Sequence, residues 1–155
     1  MYHYADSATL KNHATGANGV WNIEAHLDGG VHYLTPESLT SQAEAIGRLQ
    51  LPLKKLPDGI FVEEPTKGRF KVIFQTQQIS ENCRIPRSNV HSVETGGGSR
   101  PWLESVAKDN PQRGPGGGIQ FVTPNSLGQA TVLDLKTGIF VQDDAHLLQL
   151  LQDFP

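Results

Sequence analysis

The residues of this chain that could do chemistry are six histidines, scattered carboxylates and serines, one cysteine and several glycine-rich runs. Their spacing removes more reactions than it supports. His3, His13, His26, His32, His91 and His146 form no i,i+4 pair and no His-Glu-x-x-His pattern, so no metal site is expected. Cys83 is the only cysteine, which excludes a disulfide within the chain and a cysteine-based zinc site. No Gly-x-Ser-x-Gly occurs, so the strained turn that exposes a serine nucleophile is not indicated. Gly114-Pro115-Gly116-Gly117-Gly118 lacks a following Gly-Lys-Ser/Thr and runs into a strand-like sequence, which does not suit a phosphate cradle at a helix N-terminus.

Two segments remain that read almost alike. Gly29-Gly30-Val31-His32-Tyr33-Leu34-Thr35-Pro36 and Gly117-Gly118-Ile119-Gln120-Phe121-Val122-Thr123-Pro124 both run from paired glycines through a short apolar strand to Thr-Pro. The glycines free the backbone and remove bulk, and proline ends the run because it has no N–H to donate. A ligand can approach such a backbone closely, and His32, Tyr33 and Gln120 are the polar side chains carried there. Aligned as repeats, Tyr33 falls opposite Phe121 and Gln120 opposite His32, so the two segments carry unlike side chains at positions of opposite strand parity.

The elements that must position these residues are short. The chain has 155 residues with 16 glycines and 10 prolines, which suits one α+β or β-rich domain with many turns. Net charge is −3 and the basic residues are scattered, so no footprint for duplex nucleic acid is visible. No apolar run approaches the ~18 residues of a membrane span, and the N-terminus lacks a signal-peptide pattern. The expected elements begin with a strand over residues 1–4 and a helical turn or two over 7–12, capped by Asp6 or Ser7. Residues 20–27 are ambiguous. Ser41-Gln42-Ala43-Glu44 has capping-box spacing and starts a helix with Ala43, Ile46 and Leu49 on one face, stopped by Pro52.

Strands are expected at 59–63 and at 69–75, where Phe70, Val72 and Phe74 alternate with polar residues as in a half-buried strand. Residues 94–118 read as a long loop. A hairpin then runs from Ala130 to Gln142 through Lys136-Thr137-Gly138, and Asp143 or Asp144 caps a last helix bearing Leu147, Leu148, Leu150 and Leu151.

Spread along this order is a resemblance. Tyr2-His3-Tyr4-Ala5-Asp6 resembles the opening strand of the ADP-ribosyltransferase-fold toxins and poly-ADP-ribose-polymerase-like enzymes. Gly30-Val31-His32-Tyr33-Leu34-Thr35 is similar to their tyrosine-bearing strand, with one extra residue before the tyrosine. Residues 42–52 are similar to the Ala-rich helix ending in Leu-Pro of bacterial polymorphic-toxin members, and Pro115-Gly116-Gly117-Gly118-Ile119-Gln120-Phe121 to their Pro-Gly-Gly-Gly-x-(Glu or Gln)-aromatic segment.

The resemblance implies a single catalytic domain over 1–155, built as a split pair of small antiparallel sheets with a few flanking helices and holding NAD between them. His3, Tyr33 and Gln120 would be catalytic, with His3, Tyr4, Tyr33 and Gly118 lining the dinucleotide and no metal required. Transferring members carry glutamate where this chain has Gln120, which keeps the hydrogen bonding but loses charge and basicity. That points to NAD glycohydrolase activity, with mono-ADP-ribosyl transfer to a protein or nucleic-acid acceptor as the alternative. Glu94, Glu104 or Asp134 could supply a carboxylate from elsewhere, and Arg84, Arg87, Arg100 or Arg113 could pair with the pyrophosphate. The resemblance also implies a secreted effector domain of interbacterial competition that acts in the target cell's cytoplasm, blocked by a cognate immunity protein. A non-catalytic binding or immunity module is the reading from a different class.

Overall fold

A computed structural model describes residues 2–23, 31–35, 37–49, 51, 54–62, 64–74, 93–95, 98–100, 121–124 and 128–155. Strand β1, Tyr2–Ala5, passes directly into helix α1, Ser7–His13, because Asp6 takes the N-cap position and its Oδ1 accepts from Thr9 N at 2.8 Å. Strands β2, Ala14–Ala17, and β3, Val20–Ile23, follow as a hairpin. Asn18 and Gly19 turn it, with φ of 52° and 77°. Asn-Gly between short apolar runs is a strong hairpin signal, because both central residues of the turn need positive φ. It settles the ambiguity at residue 20 in favour of a strand.

Strand β4 is Val31–Leu34 and helix α2 is Gln42–Leu49. Ser41 Oγ accepts from Glu44 N at 3.0 Å, as the capping spacing requires. The Glu44 carboxylate reaches back one residue further than in a standard box, to Thr40 N and Thr40 Oγ1, both at 3.0 Å. The expected inner face needs correction: Ala45, Gly47 and Leu49 are buried, whereas Ala43 is exposed. Packing of the i,i+4 pair Ala45 and Leu49 against Tyr4 sets the rotation of the helix. Pro52 lies outside the described residues.

Short strands β5, Lys54–Lys55, and β6, Phe61–Val62, pair with each other and precede β7, Phe70–Phe74. A further small ribbon is made by β8, Val93–Thr95, and β9, Gly98–Arg100, so part of the expected 94–118 loop is a hairpin. Strand β10 is Phe121–Pro124, β11 is Gly128–Asp134 and β12 is Ile139–Phe140. Helix α3, Asp144–Asp153, is capped by Asp143, whose Oδ1 accepts from His146 N at 2.7 Å.

The described residues therefore form a mixed α and β arrangement, with three helices and mostly antiparallel sheets. The largest sheet has six strands in the order β1-β7-β11-β3-β2, with β12 paired to β11. Alternation along β7 divides its two faces. Phe70, Val72 and Phe74 join Ala5, Trp21, Val132, Leu10, Leu147 and Leu150 in the main core, which α1 and α3 cover. The other face carries Tyr4 with Leu39, Ala45 and Leu49 and is covered by α2. Gly16 stands across from Trp21, where an added Cβ would lie 2.5 Å from the ring, so the strand must be bare there.

One polar assembly sits within this framework. Arg69 Nε and Nη2 donate to the two Asp134 oxygens at 2.8 and 2.9 Å, and Arg69 Nη1 donates to the Phe154 carbonyl at 2.6 Å. Asp134 also accepts from Lys136 N at 3.0 Å and Thr137 Oγ1 at 2.9 Å, which shapes the β11–β12 turn. Both side chains are buried. Burial alone would raise the Asp134 pKa, but the hydrogen bonds from Arg69, Thr137 and Lys136 outweigh it and hold the carboxyl below its ordinary value.

Candidate functional site

Strand β1 has two unlike edges. Along one it is laddered to β7 over its whole length, Tyr2 with Ile73 through Ala5 with Phe70. Along the other it meets the end of β4 at a single bridge among the described residues, where Tyr2 and Thr35 exchange two N–H···O bonds of 2.9 Å. Strand β4 is paired in turn with β10, Tyr33 opposite Val122 and His32 opposite Thr123. The two look-alike segments are thus each other's partners in a two-stranded ribbon, hinged on β1 by one pair of bonds.

His3 lies on β1, half-buried, at the register position of Val72 on the α1/α3 face. Tyr33 lies on the neighbouring β4. Counted from the Tyr2–Thr35 bridge, position 34 faces position 3 and position 33 faces position 4. His3 and Tyr33 therefore come onto adjacent strands but at positions of opposite parity. Gln120 and Gly118 lie outside the described residues, Gln120 immediately before the first residue of β10.

Tyr4 is 4% exposed and packs against Leu39, Ala45 and Leu49. Its hydroxyl donates to the Glu37 carbonyl at 2.7 Å and accepts from Leu39 N at 2.5 Å. Burial pushes the phenol far above its ordinary pKa, against the opposing effect of the Leu39 hydrogen bond. Both hydroxyl functions are used on either side of Ser38, so Tyr4 fixes the position of that segment.

That bracket builds a feature which sequence reasoning passed over. Lys71, on β7 opposite Tyr4, is 6% exposed, and its Nζ donates to Ser38 Oγ at 2.6 Å. The same Nζ stands 4.7 Å from the centroid of the Tyr2 ring. Ser38 itself is exposed. Its segment is fixed by Tyr4, by Glu37 N donating to Thr35 Oγ1 at 3.1 Å, and by Arg48, whose Nε and Nη2 reach Glu37 Oε1 at 3.0 and 2.8 Å. Lys71 reads in sequence as a polar residue on the wet side of a half-buried strand; α2 and the 37–39 segment close over that side.

No known family model, curated protein or solved structure matches this chain. The site must therefore be read from its own residues. Asp134, weighed above as an assisting carboxylate, is fully buried and occupied by Arg69, Lys136 and Thr137, so it serves the fold. Glu104, Arg84, Arg87 and Arg113 lie outside the described residues, while Glu94 and Arg100 belong to the β8–β9 ribbon. Among the described residues no group of three His, Cys, Asp or Glu side chains could hold a metal ion. No described helix is long and apolar enough to cross a membrane.

Proposed function

We propose that this chain is an NAD-consuming domain that cleaves the nicotinamide–ribose bond with water as acceptor. The observation that carries the reading is the adjacency of β1, β4 and β10. These strands bear His3, bear Tyr33 and directly follow Gln120, although the residues are scattered through the sequence. The split-sheet architecture of the ADP-ribosyltransferase fold would correspond to the β4–β10 ribbon on one side of the Tyr2–Thr35 hinge and the six-stranded sheet on the other. Beyond that bridge β4 makes no further ladder with β1 among the described residues, and the proposed cleft would lie there.

The chemistry asks little of the protein beyond positioning. The C1′–N bond breaks with its electron pair leaving to nicotinamide, which thereby loses its positive charge, and the ribose becomes oxocarbenium-like. Water adds to C1′ and gives up a proton, leaving ADP-ribose. His3 would hydrogen-bond the adenosine-side ribose, Tyr33 would stack on nicotinamide, and Gln120 would hold a ribose hydroxyl. Gln120 lacks the charge and basicity that activate a macromolecular acceptor, which favours hydrolysis over transfer. A toxin domain delivered into a target cell and restrained by a cognate immunity protein fits this activity.

His3→Ala and Tyr33→Ala should each abolish nicotinamide release while far-UV circular dichroism and Tm stay near wild type. NAD labelled on its adenylate should leave no mark on protein or nucleic acid in a lysate. Labelled macromolecules would replace hydrolysis with transfer.

A further inference from the structure

We propose that Lys71 and Ser38 form a binding site for a phosphate-type anion, a pyrophosphate above all. A buried ammonium costs several kcal/mol unless it is compensated, and Lys71 is 6% exposed yet enters no ion pair among the described residues. Its partners are the Ser38 hydroxyl at 2.6 Å and the face of the Tyr2 ring. These two use only part of its donor capacity and neither neutralises it.

The two carboxylates that flank Ser38 in sequence are engaged elsewhere. Glu37 is held by Arg48, and Glu44 is held by Thr40, though Lys71 still acts on Glu44 through space. Ser38, by contrast, opens to solvent and is held in place on both sides by the Tyr4 hydroxyl. A rigid hydroxyl donor at the surface, backed by a charge that has no counter-ion among the described residues, is the arrangement that an oxyanion completes.

The site lies where the chain leaves β4, beside the single bridge that joins β4 to β1. Naming the NAD pyrophosphate as the natural occupant rests on the function proposed above; the anion site itself does not. On that reading Lys71 and Ser38, on the α2 face with Tyr4, would hold the charged bridge of the dinucleotide, and His3, on the opposite face, would meet it from across the seam with Tyr33 and Gln120.

The test uses the intact chain, inorganic pyrophosphate and ADP-ribose, read by thermal shift and by calorimetric titration. Pyrophosphate should raise the Tm of the wild type in a concentration-dependent way. Lys71→Met should weaken binding roughly 10- to 100-fold, the value of a charge-assisted hydrogen bond, without lowering the Tm of the free protein. Ser38→Asp changes an exposed position and supplies the missing counter-ion from within, so it should raise the Tm of the free protein and abolish the response to pyrophosphate. A wild type that ignores pyrophosphate, or an S38D variant that binds it as the wild type does, overturns the proposal. Binding of pyrophosphate but not ADP-ribose supports the anion site and refutes NAD as its occupant.

Discussion

Arg69, immediately before β7, and Lys71, its second residue, are both buried cations, yet they are treated in opposite ways. Arg69 is given a bidentate carboxylate, a carbonyl and a closed environment. Lys71 is given a neutral hydroxyl and an aromatic face, beside a segment that opens to solvent. A buried pair whose members satisfy each other fixes the structure around it. A buried charge left without a counter-ion adds nothing comparable to stability and is worth keeping where a ligand can complete it. The contrast repeats at the level of strands, since β1 is laddered to β7 on one edge and only hinged to β4 on the other.

The largest effect expected from this contrast is at the satisfied pair. Asp134→Ala leaves Arg69 buried without its partner and should cost about 3–5 kcal/mol in a denaturant titration. A loss as small as that of a surface pair would show that the Arg69 end is not the structural one. Acid should act through the same carboxylate. Its pKa is depressed in the folded chain, so the stabilisation is complete above the unfolded value of about 3.9 and is lost as pH falls through the folded value. Stability curves of wild type and Asp134→Asn should therefore converge as pH is lowered below about 4. Curves that run parallel across that range would remove Asp134 from the acid response.

A smaller effect is expected from Arg48→Ala. That ion pair with Glu37 is partly solvated, the arginine side chain being 40% exposed, and its loss should cost less than about 1 kcal/mol. Because it helps hold the segment carrying Ser38, it should loosen pyrophosphate binding more than it lowers stability. The smallest effect on stability is expected at Lys71→Met, which should leave the free protein unchanged or slightly steadier while removing the anion response. A large destabilisation there would erase the difference between the two cations.

Much of the frame was legible because its signals are local. Asp6, Ser41 and Asp143 cap the helices that follow them, and Leu135 to Gly138 turn the hairpin where Lys136-Thr137-Gly138 predicts it. The Asn18-Gly19 hairpin was equally local and was still passed over, since the weakly apolar Ala14–Ala17 does not announce a strand. Other features could not be read because they depend on distant segments. Asp134 looks like a free carboxylate until Arg69, 65 positions earlier, is found on both its oxygens. Lys71 looks solvated until Ser38, 33 positions earlier, and α2 are folded across it. The rotation of α2 was misjudged for the same reason, because Ala45 rather than Ala43 meets Tyr4. The proposed roles of His3, Tyr33 and Gln120 rest on order along the chain, and the fold brings β1 beside β4 and β4 beside β10.

The central claim is that the hinged edge of β1 serves NAD cleavage, and it is tested most directly by incubating the purified chain with NAD and quantifying nicotinamide and ADP-ribose by chromatography. The account predicts equimolar release of both from the wild type and none from His3→Ala. Intact NAD after incubation with the wild type, alone and with added cell lysate, would contradict it.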